Sequence, residues 1–144
     1  MMLFFTAFAW ADAVSQSVGI PPLKTNLQAN ITLHSLDELK QILLQAEKIS
    51  NGQSEVEYST ENPIAVVLHG DEIGAFVRSN YRTHKELVDL AARLDAFKVI
   101  EVKVCRSWMG ENDVNVNELP PFVEAVPVGA KERERLERAG YAYF

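Results

Sequence analysis

The stretch that decides the fold is IAVVLHG at residues 64–70, an apolar run of strand length that ends in His69 and Gly70. A strand that is apolar on both faces is typical of the centre of a parallel sheet, where helices cover both sides. A second run, VIEVKVC at residues 99–105, predicts another strand, which closes with the chain's one cysteine, Cys105. The carboxyl ends of parallel strands meet at one edge of a sheet, where ligands bind in such folds. The sequence therefore places His69, Gly70 and Cys105 along one functional edge.

Strand-like and helix-like segments alternate on both sides of these two runs. Apolar residues alternate with polar ones over 27–33, which predicts a strand, and Ser35 with Glu38 forms a capping box that begins a helix. A second capping box, Thr83 with Glu86, predicts the start of another helix. Further predicted elements are a short helical segment at 106–110, a strand at 122–126, a charged helix at 130–139 and a strand at 141–144. This order predicts a parallel sheet with right-handed crossovers and helices on both faces.

Composition describes an acidic globular domain and excludes several classes of protein. The chain has 144 residues, 47% of them hydrophobic, with 20 acidic against 14 basic residues. That balance argues against nucleic-acid binding, which needs clustered Lys and Arg. The single cysteine excludes an intramolecular disulfide and a multi-cysteine zinc site. The three histidines, His34, His69 and His84, lack the i, i+4 spacing of a helical metal site, so we expect neither a metal nor a cofactor.

The run KERERLERA at residues 131–139 alternates in the sign of its charges. Opposite charges three or four residues apart on a helix pair with one another. The pattern is typical of a solvent-exposed helix face and not of a binding patch.

The first eleven residues, MMLFFTAFAWA, form an uncharged apolar run that ends in a small-residue cleavage pattern. A membrane-spanning helix needs roughly 20 residues, so this run is too short to cross a bilayer. We expect 1–13 to be a signal peptide or a truncated leader, 14–26 a linker and 27–144 the mature domain. The protein is then periplasmic or otherwise exported, without stable membrane insertion once the leader is removed. A cytoplasmic location is the alternative.

Cys105 is the candidate reactive residue, because a strand ends and a helical segment begins at this position. The positive end of a helix dipole lowers the pKa of a thiol, and Arg106 beside it would lower that pKa further. A buried thiol that acts as a small hydrophobic residue is the alternative. His69 either bonds to its own loop or pairs with Cys105 as in a cysteine hydrolase. The end of the first predicted strand brings His34 to the same edge.

The chain from 64 to 144 resembles the DsrE/DsrF-like family. The resemblance lies in IAVVLHG, in VIEVKVC and in the closing segment ELPPFVEAVPVGAKERERLERAGYAYF. It implies a three-layer α/β/α fold with a mainly parallel, five-stranded, flavodoxin-like sheet, and assembly into homo-oligomers, either trimers or hexamers. It also implies that Cys105 carries sulfur as a persulfide between donor and acceptor proteins or small sulfane-sulfur compounds.

The function expected from this resemblance is that of a sulfur-relay protein, a sulfurtransferase-like persulfide carrier. Cys105 accepts and donates the sulfur, while His69, Gly70 and Arg106 bind the substrate or shape the site. A non-catalytic oligomeric binding or scaffold domain of the same fold, without thiol chemistry, is the alternative.

Overall fold

Five strands form one parallel sheet in residues 24–144, the part of the chain that this computed structural model describes. The strands are β1 (Leu27–Gln28), β2 (Ile64–Leu68), β3 (Ile100–Cys105), β4 (Val123–Val126) and β5 (Ala142–Tyr143). Their order across the sheet is β4-β3-β2-β1-β5, and every neighbouring pair is parallel. This order differs from the 2-1-3-4-5 order of flavodoxin itself.

The helices of residues 24–144 lie on two faces of the sheet because the chain reverses direction after β4. They are α1 (Leu36–Ser50), α2 (Lys85–Ala96), α3 (Arg106–Glu111) and α4 (Gly129–Arg138). The chain steps from β1 to β4 in one direction, so right-handed crossovers place α1, α2 and α3 on one face. It then returns across the sheet to β5, which places α4 on the other face. The predicted three-layer, flavodoxin-like architecture is confirmed, and its sheet is wholly parallel.

The strand β2 is the centre of the fold, and all five of its residues are buried. Val66 and its alternate neighbours belong to the larger core cluster, on the side of α1 and α2. Ala65 and Val67 point the other way and pack against Leu136 of α4. Full burial of an aliphatic side chain stabilises a fold by about 1.5–3 kcal/mol. Both faces of this strand therefore hold helices against the sheet, as its apolar sequence predicts.

The strand β1 is much shorter than the sequence predicts. The alternation over 27–33 predicts a strand along its whole length, but the sheet pairing is confined to Leu27–Gln28. The carboxylate of Glu38 accepts the backbone N–H groups of residues 32–34, which turns the chain away from the sheet. Leu33 consequently lies 76% exposed, so the predicted strand is wrong over its second half.

The two predicted capping boxes have different outcomes. Ser35 begins α1 as predicted, and its hydroxyl accepts the N–H of Glu38 at 3.1 Å. The prediction that Thr83 and Glu86 form a capping box is wrong, because Thr83 belongs to the turn that precedes α2. That helix begins after His84, whose side chain makes no capping hydrogen bond.

The predicted leader at 1–13 lies outside the described residues, as does most of the predicted linker at 14–26. The last residue of the predicted linker, Asn26, is already part of the fold, because its carbonyl accepts the backbone N–H of Ala142 at 2.9 Å. Among the helices that the structure describes, none has the length and apolar character needed to cross a membrane.

An ion pair beneath α4 ties this helix to β3. The Nζ of Lys103 lies 2.7 Å from Oε1 of Glu132, and the Lys103 side chain is only 8% exposed. Hydrogen bonding from Arg135 lowers the pKa of Glu132 to about 2. Burial of Glu132 raises this pKa, whereas the hydrogen bond and the charge of Lys103 lower it further. The solvent-exposed face predicted for 131–139 is therefore wrong at Glu132, which faces the sheet.

Replacing Glu132 with Gln should lower the free energy of unfolding by about 3–5 kcal/mol, because the buried Lys103 ammonium loses its closest partner. The lowered pKa means that this stability is present above the unfolded-state pKa of Glu132 and is lost as the pH falls through about 2. Urea unfolding at neutral pH measures the change. Glu134→Gln is the matched control, because Glu134 is exposed and pairs with Arg138 at the surface. It should change stability by less than about 1 kcal/mol, and equal effects of the two substitutions would contradict the assignment.

Candidate functional site

Cys105 lies where the chain leaves two neighbouring strands toward opposite faces of the sheet. After β3 it enters α3, whose Met109 packs into the larger core cluster on the side of α1 and α2. After β4 it enters α4 on the other side, and the last residue of β4, Val126, pairs in register with Cys105. A crevice forms between two strands whose connections diverge in this way, and ligands of open α/β sheets bind there. The predicted position of Cys105 at a strand's carboxyl end is confirmed.

Cys105 is the N-cap residue of α3, and backbone N–H groups at the starts of α3 and α4 act on the pKa of its thiol. The thiol is 6% exposed, and its burial raises its pKa. Hydrogen bonds from the N–H groups of Gly129, Trp108 and Ser107 outweigh that effect, so the pKa lies below its ordinary value. Two of these donors belong to α3 and the third to α4. The arrangement favours the thiolate, which is the nucleophilic form of cysteine.

Gly129, the first residue of α4, lies close against the side chains of His69 and Cys105. A Cβ at this position would lie 2.6 Å from the Cβ of His69 and 3.4 Å from the Cβ of Cys105. Real Cβ atoms do not approach another carbon to 2.6 Å. The absence of a side chain here lets α4 begin against the sheet edge, next to both His69 and Cys105.

His69 interacts with Arg133 rather than with the thiol. The Nη1 of Arg133 lies 3.0 Å from Nε2 of His69. A guanidinium only donates, so Nε2 is the acceptor and the proton of the neutral ring is on Nδ1. Burial lowers the pKa of His69, and electrostatic interactions with His34 and Arg133 lower it further, partly offset by Glu72. The lone pair of His69 is thus engaged, and the hydrolase-like pairing with Cys105 is not formed.

A fully buried carboxylate, Glu72, holds the two histidines of the site. Its Oε1 accepts the backbone N–H of His69 at 3.0 Å and the backbone N–H of Gly70 at 3.2 Å. The Nδ1 of His34 lies 3.0 Å from Oε2 of Glu72. The His34 ring packs edge to face against the His69 ring, with the ring centroids 4.4 Å apart. A Cβ at Gly70 would lie 2.6 Å from this Nδ1, so Gly70 permits the contact. The predicted gathering of His34, His69 and Gly70 at one edge is confirmed.

Arg106, the remaining residue of the predicted site, lies at its rim. Arg106 is exposed at the first position of α3, and the main groups that lower the pKa of Cys105 are backbone N–H groups rather than its guanidinium. Trp108 is partly buried against the core, and its Nε1–H donates to Asp71 at 3.3 Å. This bond connects α3 to the segment that follows His69. Within residues 24–144, no three His, Cys, Asp or Glu side chains are grouped so as to hold a metal ion.

Sequence reasoning missed Glu72 and Arg133. Glu72 lies four residues after the end of β2, where an acidic residue is ordinarily solvent-exposed. Arg133 lies within the charged run at residues 131–139. A signal for Arg133 does exist in the sequence. It lies three residues before the apolar Leu136 and four after Gly129, a spacing that places all three on one face of a helix.

Comparison with protein-family models gives no match, and comparison with curated proteins gives none either. Among solved structures the chain is similar to MTH1491 from Methanobacterium thermoautotrophicum, described as a protein of unknown function. The two share 17% sequence identity and a TM-score of 0.56, over 83% of this chain and 93% of the other. At this identity the similarity supports the fold alone.

The alkylation rate of Cys105 by iodoacetamide should follow the titration of its thiol, because the thiolate is the reacting form. We expect the pH midpoint of the native chain to lie below that of the chain unfolded in urea, since the backbone N–H groups stabilise the thiolate only in the fold. The chain has one cysteine, so mass spectrometry assigns the rate without ambiguity. A native midpoint equal to or above the unfolded one would contradict the account.

Gly129→Ala should destabilise the fold by about 1–3 kcal/mol, because the new methyl group overlaps the Cβ of His69 and α4 must move outward. Gly110→Ala provides the control. Gly110 lies inside α3 with nothing within 4 Å of the position of its Cβ, so alanine there should preserve or raise stability. Thermal unfolding compares the two variants. The close fit would be disproved by equal unfolding temperatures.

Proposed function

We propose that this chain is a sulfur carrier of sulfur metabolism that holds a persulfide on Cys105. The observation that carries the proposal is the position of Cys105, which is the N-cap residue of α3 and lies against Gly129 at the start of α4, where the sheet's connections diverge. Backbone N–H groups at these two helix starts lower the pKa of the thiol and so favour the thiolate, in a place where ligands bind. A thiol with only a packing role needs no such donors.

Sulfur transfer by thiolate exchange accounts for the chemistry without an added redox partner. The Cys105 thiolate attacks the outer sulfur of a donor persulfide. The donor's sulfur–sulfur bond breaks, its thiolate leaves with the electron pair, and Cys105 becomes a persulfide. A thiolate of the acceptor then attacks the outer sulfur of Cys105, and the Cys105 thiolate is released. The N–H groups of Ser107, Trp108 and Gly129 stabilise the Cys105 thiolate when it is the leaving group.

The resemblance of 64–144 to the DsrE/DsrF-like family supports the same function, with Cys105 at the position of the sulfur-carrying cysteine. The proposed donors and acceptors are proteins or small sulfane-sulfur compounds. We further propose that the chain works as a homo-oligomer, a trimer or a hexamer, after export to the periplasm.

A second candidate function is supported by the burial of the thiol. Cys105 is 6% exposed and belongs to the same apolar cluster as Val104 and Met109. A free cysteine in such surroundings commonly acts as a small hydrophobic residue. The chain would then be an oligomeric binding or scaffold domain in which Cys105 has no chemistry.

Incubation of the native chain with polysulfide should increase its mass by one sulfur atom, and iodoacetamide trapping should locate that atom on Cys105. The thiol-free variant Cys105→Ser is the matched control and should gain no mass. Failure of the native chain to gain sulfur, or an equal gain by the variant, would exclude the carrier. Alkylation that occurs only after unfolding would instead support the scaffold domain.

A further inference from the structure

The arginine that contacts His69 differs in its charge partners from the other arginines of α4. Arg135 and Arg138 each form an ion pair with a glutamate of the same helix. Arg133 forms no ion pair with a carboxylate among residues 24–144, and its guanidinium interacts with Nε2 of His69 and with the side chain of Tyr143. Its Nε is buried without an acceptor in this part of the chain. A partly buried guanidinium with unused donors is a binding group for an anion.

The carboxylates beside Arg133 have other partners. Glu72 accepts hydrogen bonds from two backbone N–H groups and lies against His34. Glu137 bonds to the hydroxyl of Tyr143, while the guanidinium of Arg133 lies over the Tyr143 ring at 5.3 Å from its centroid. That ring orients the guanidinium without neutralising it. The guanidinium of Arg133 therefore lies beside His69 without a carboxylate that neutralises its charge.

The location of Arg133 on α4 brings this charge to the cysteine. Arg133 follows Gly129 by four residues, so the two lie on the same face of the helix. Side chains on a helix lean toward its N-terminus, and here the guanidinium reaches the ring of His69. Gly129 lies against both His69 and Cys105, which follow the paired residues Leu68 and Val104 of neighbouring strands. The guanidinium, the imidazole and the sulfur thus border one region at the end of the sheet.

We propose that Arg133, oriented by His69, binds the anionic end of a small sulfane-sulfur donor of the thiosulfonate type beside Cys105. This inference rests on the proposed function and names the substrate class of the same site. A thiolate and an anionic donor repel each other, so their reaction needs a cation between them. The planar fork of a guanidinium matches two oxygens of a tetrahedral oxyanion.

With thiosulfate as the donor, the transfer balances in atoms and charge. The Cys105 thiolate attacks the outer sulfur of thiosulfate, the sulfur–sulfur bond breaks, and sulfite leaves with the electron pair. Cys105 is left as a persulfide anion, so the total charge is unchanged. Arg133 holds the oxyanion both in the donor and in the departing sulfite, where negative charge increases.

Binding is best measured without the reaction, in the full chain carrying Cys105→Ser. Sodium thiosulfate is titrated into this chain at constant ionic strength, made up with sodium chloride, and amide chemical shifts are followed by NMR. We expect saturable shifts at the start of α4 and in the loop after β2. Adding Arg133→Gln should weaken binding at least about tenfold, since a charge-assisted hydrogen bond of about 1.5 kcal/mol or more is lost.

Two further variants make the result specific. Arg138→Gln removes the same charge from an exposed position of α4 and should leave binding unchanged. Arg133→Lys keeps the charge without the planar fork and should bind with intermediate affinity, which separates lost recognition from lost folding. Absence of saturable binding in the Cys105→Ser chain, or equal binding with and without Arg133, would overturn the proposal.

The anion site and the sulfur carrier can fail separately. Thiosulfate binding through Arg133 in a chain whose Cys105 never gains sulfur would leave the anion site and remove the carrier. Persulfide formation from polysulfide, with no thiosulfate binding, would leave the carrier and remove the role of Arg133.

Discussion

The close approach of α4 to the edge of the sheet is the constraint on which the site depends. The chain crosses back over the sheet after β4, and Gly129 begins α4 in a space too small for a side chain. Its N–H reaches the Cys105 sulfur, and one turn later Arg133 reaches His69. A small outward shift of this one helix would separate all these contacts, because a single helix covers this face of the sheet within residues 24–144.

Buried polar groups support this arrangement from two sides. Lys103 and Glu132 fix α4 against β3, while Glu72 fixes the loop after β2 and holds His34 against His69. A buried charge destabilises a fold unless it is paired and hydrogen-bonded. Glu132 is paired with Lys103, and Glu72 is hydrogen-bonded by two backbone N–H groups, so both side chains hold their surroundings in one geometry. The site is consequently set by rigid contacts between strands and helix starts rather than by a free loop.

The sequence predicts the centre of this fold better than its polar details. We could predict β2 and the strand that ends at Cys105, because the spacing of apolar residues in a sequence indicates which side chains are buried. The length of β1 was not predictable, because Glu38 ends it by accepting N–H groups from residues that precede it in the chain. Glu72 and Arg133 look like solvated charges in the sequence, and their partners come from other elements. Only the packing of α4 on the sheet distinguishes Arg133 from Arg135 and Arg138.

We propose that Cys105 both accepts and releases sulfur in the folded chain. The most direct measurement is to load the native protein with polysulfide, remove the excess reagent and add cyanide, which takes up sulfane sulfur as thiocyanate. We expect close to one thiocyanate per chain from the native protein, none from Cys105→Ser, and return of a free Cys105 thiol. No thiocyanate from the native chain, or an equal amount from the variant, would contradict it.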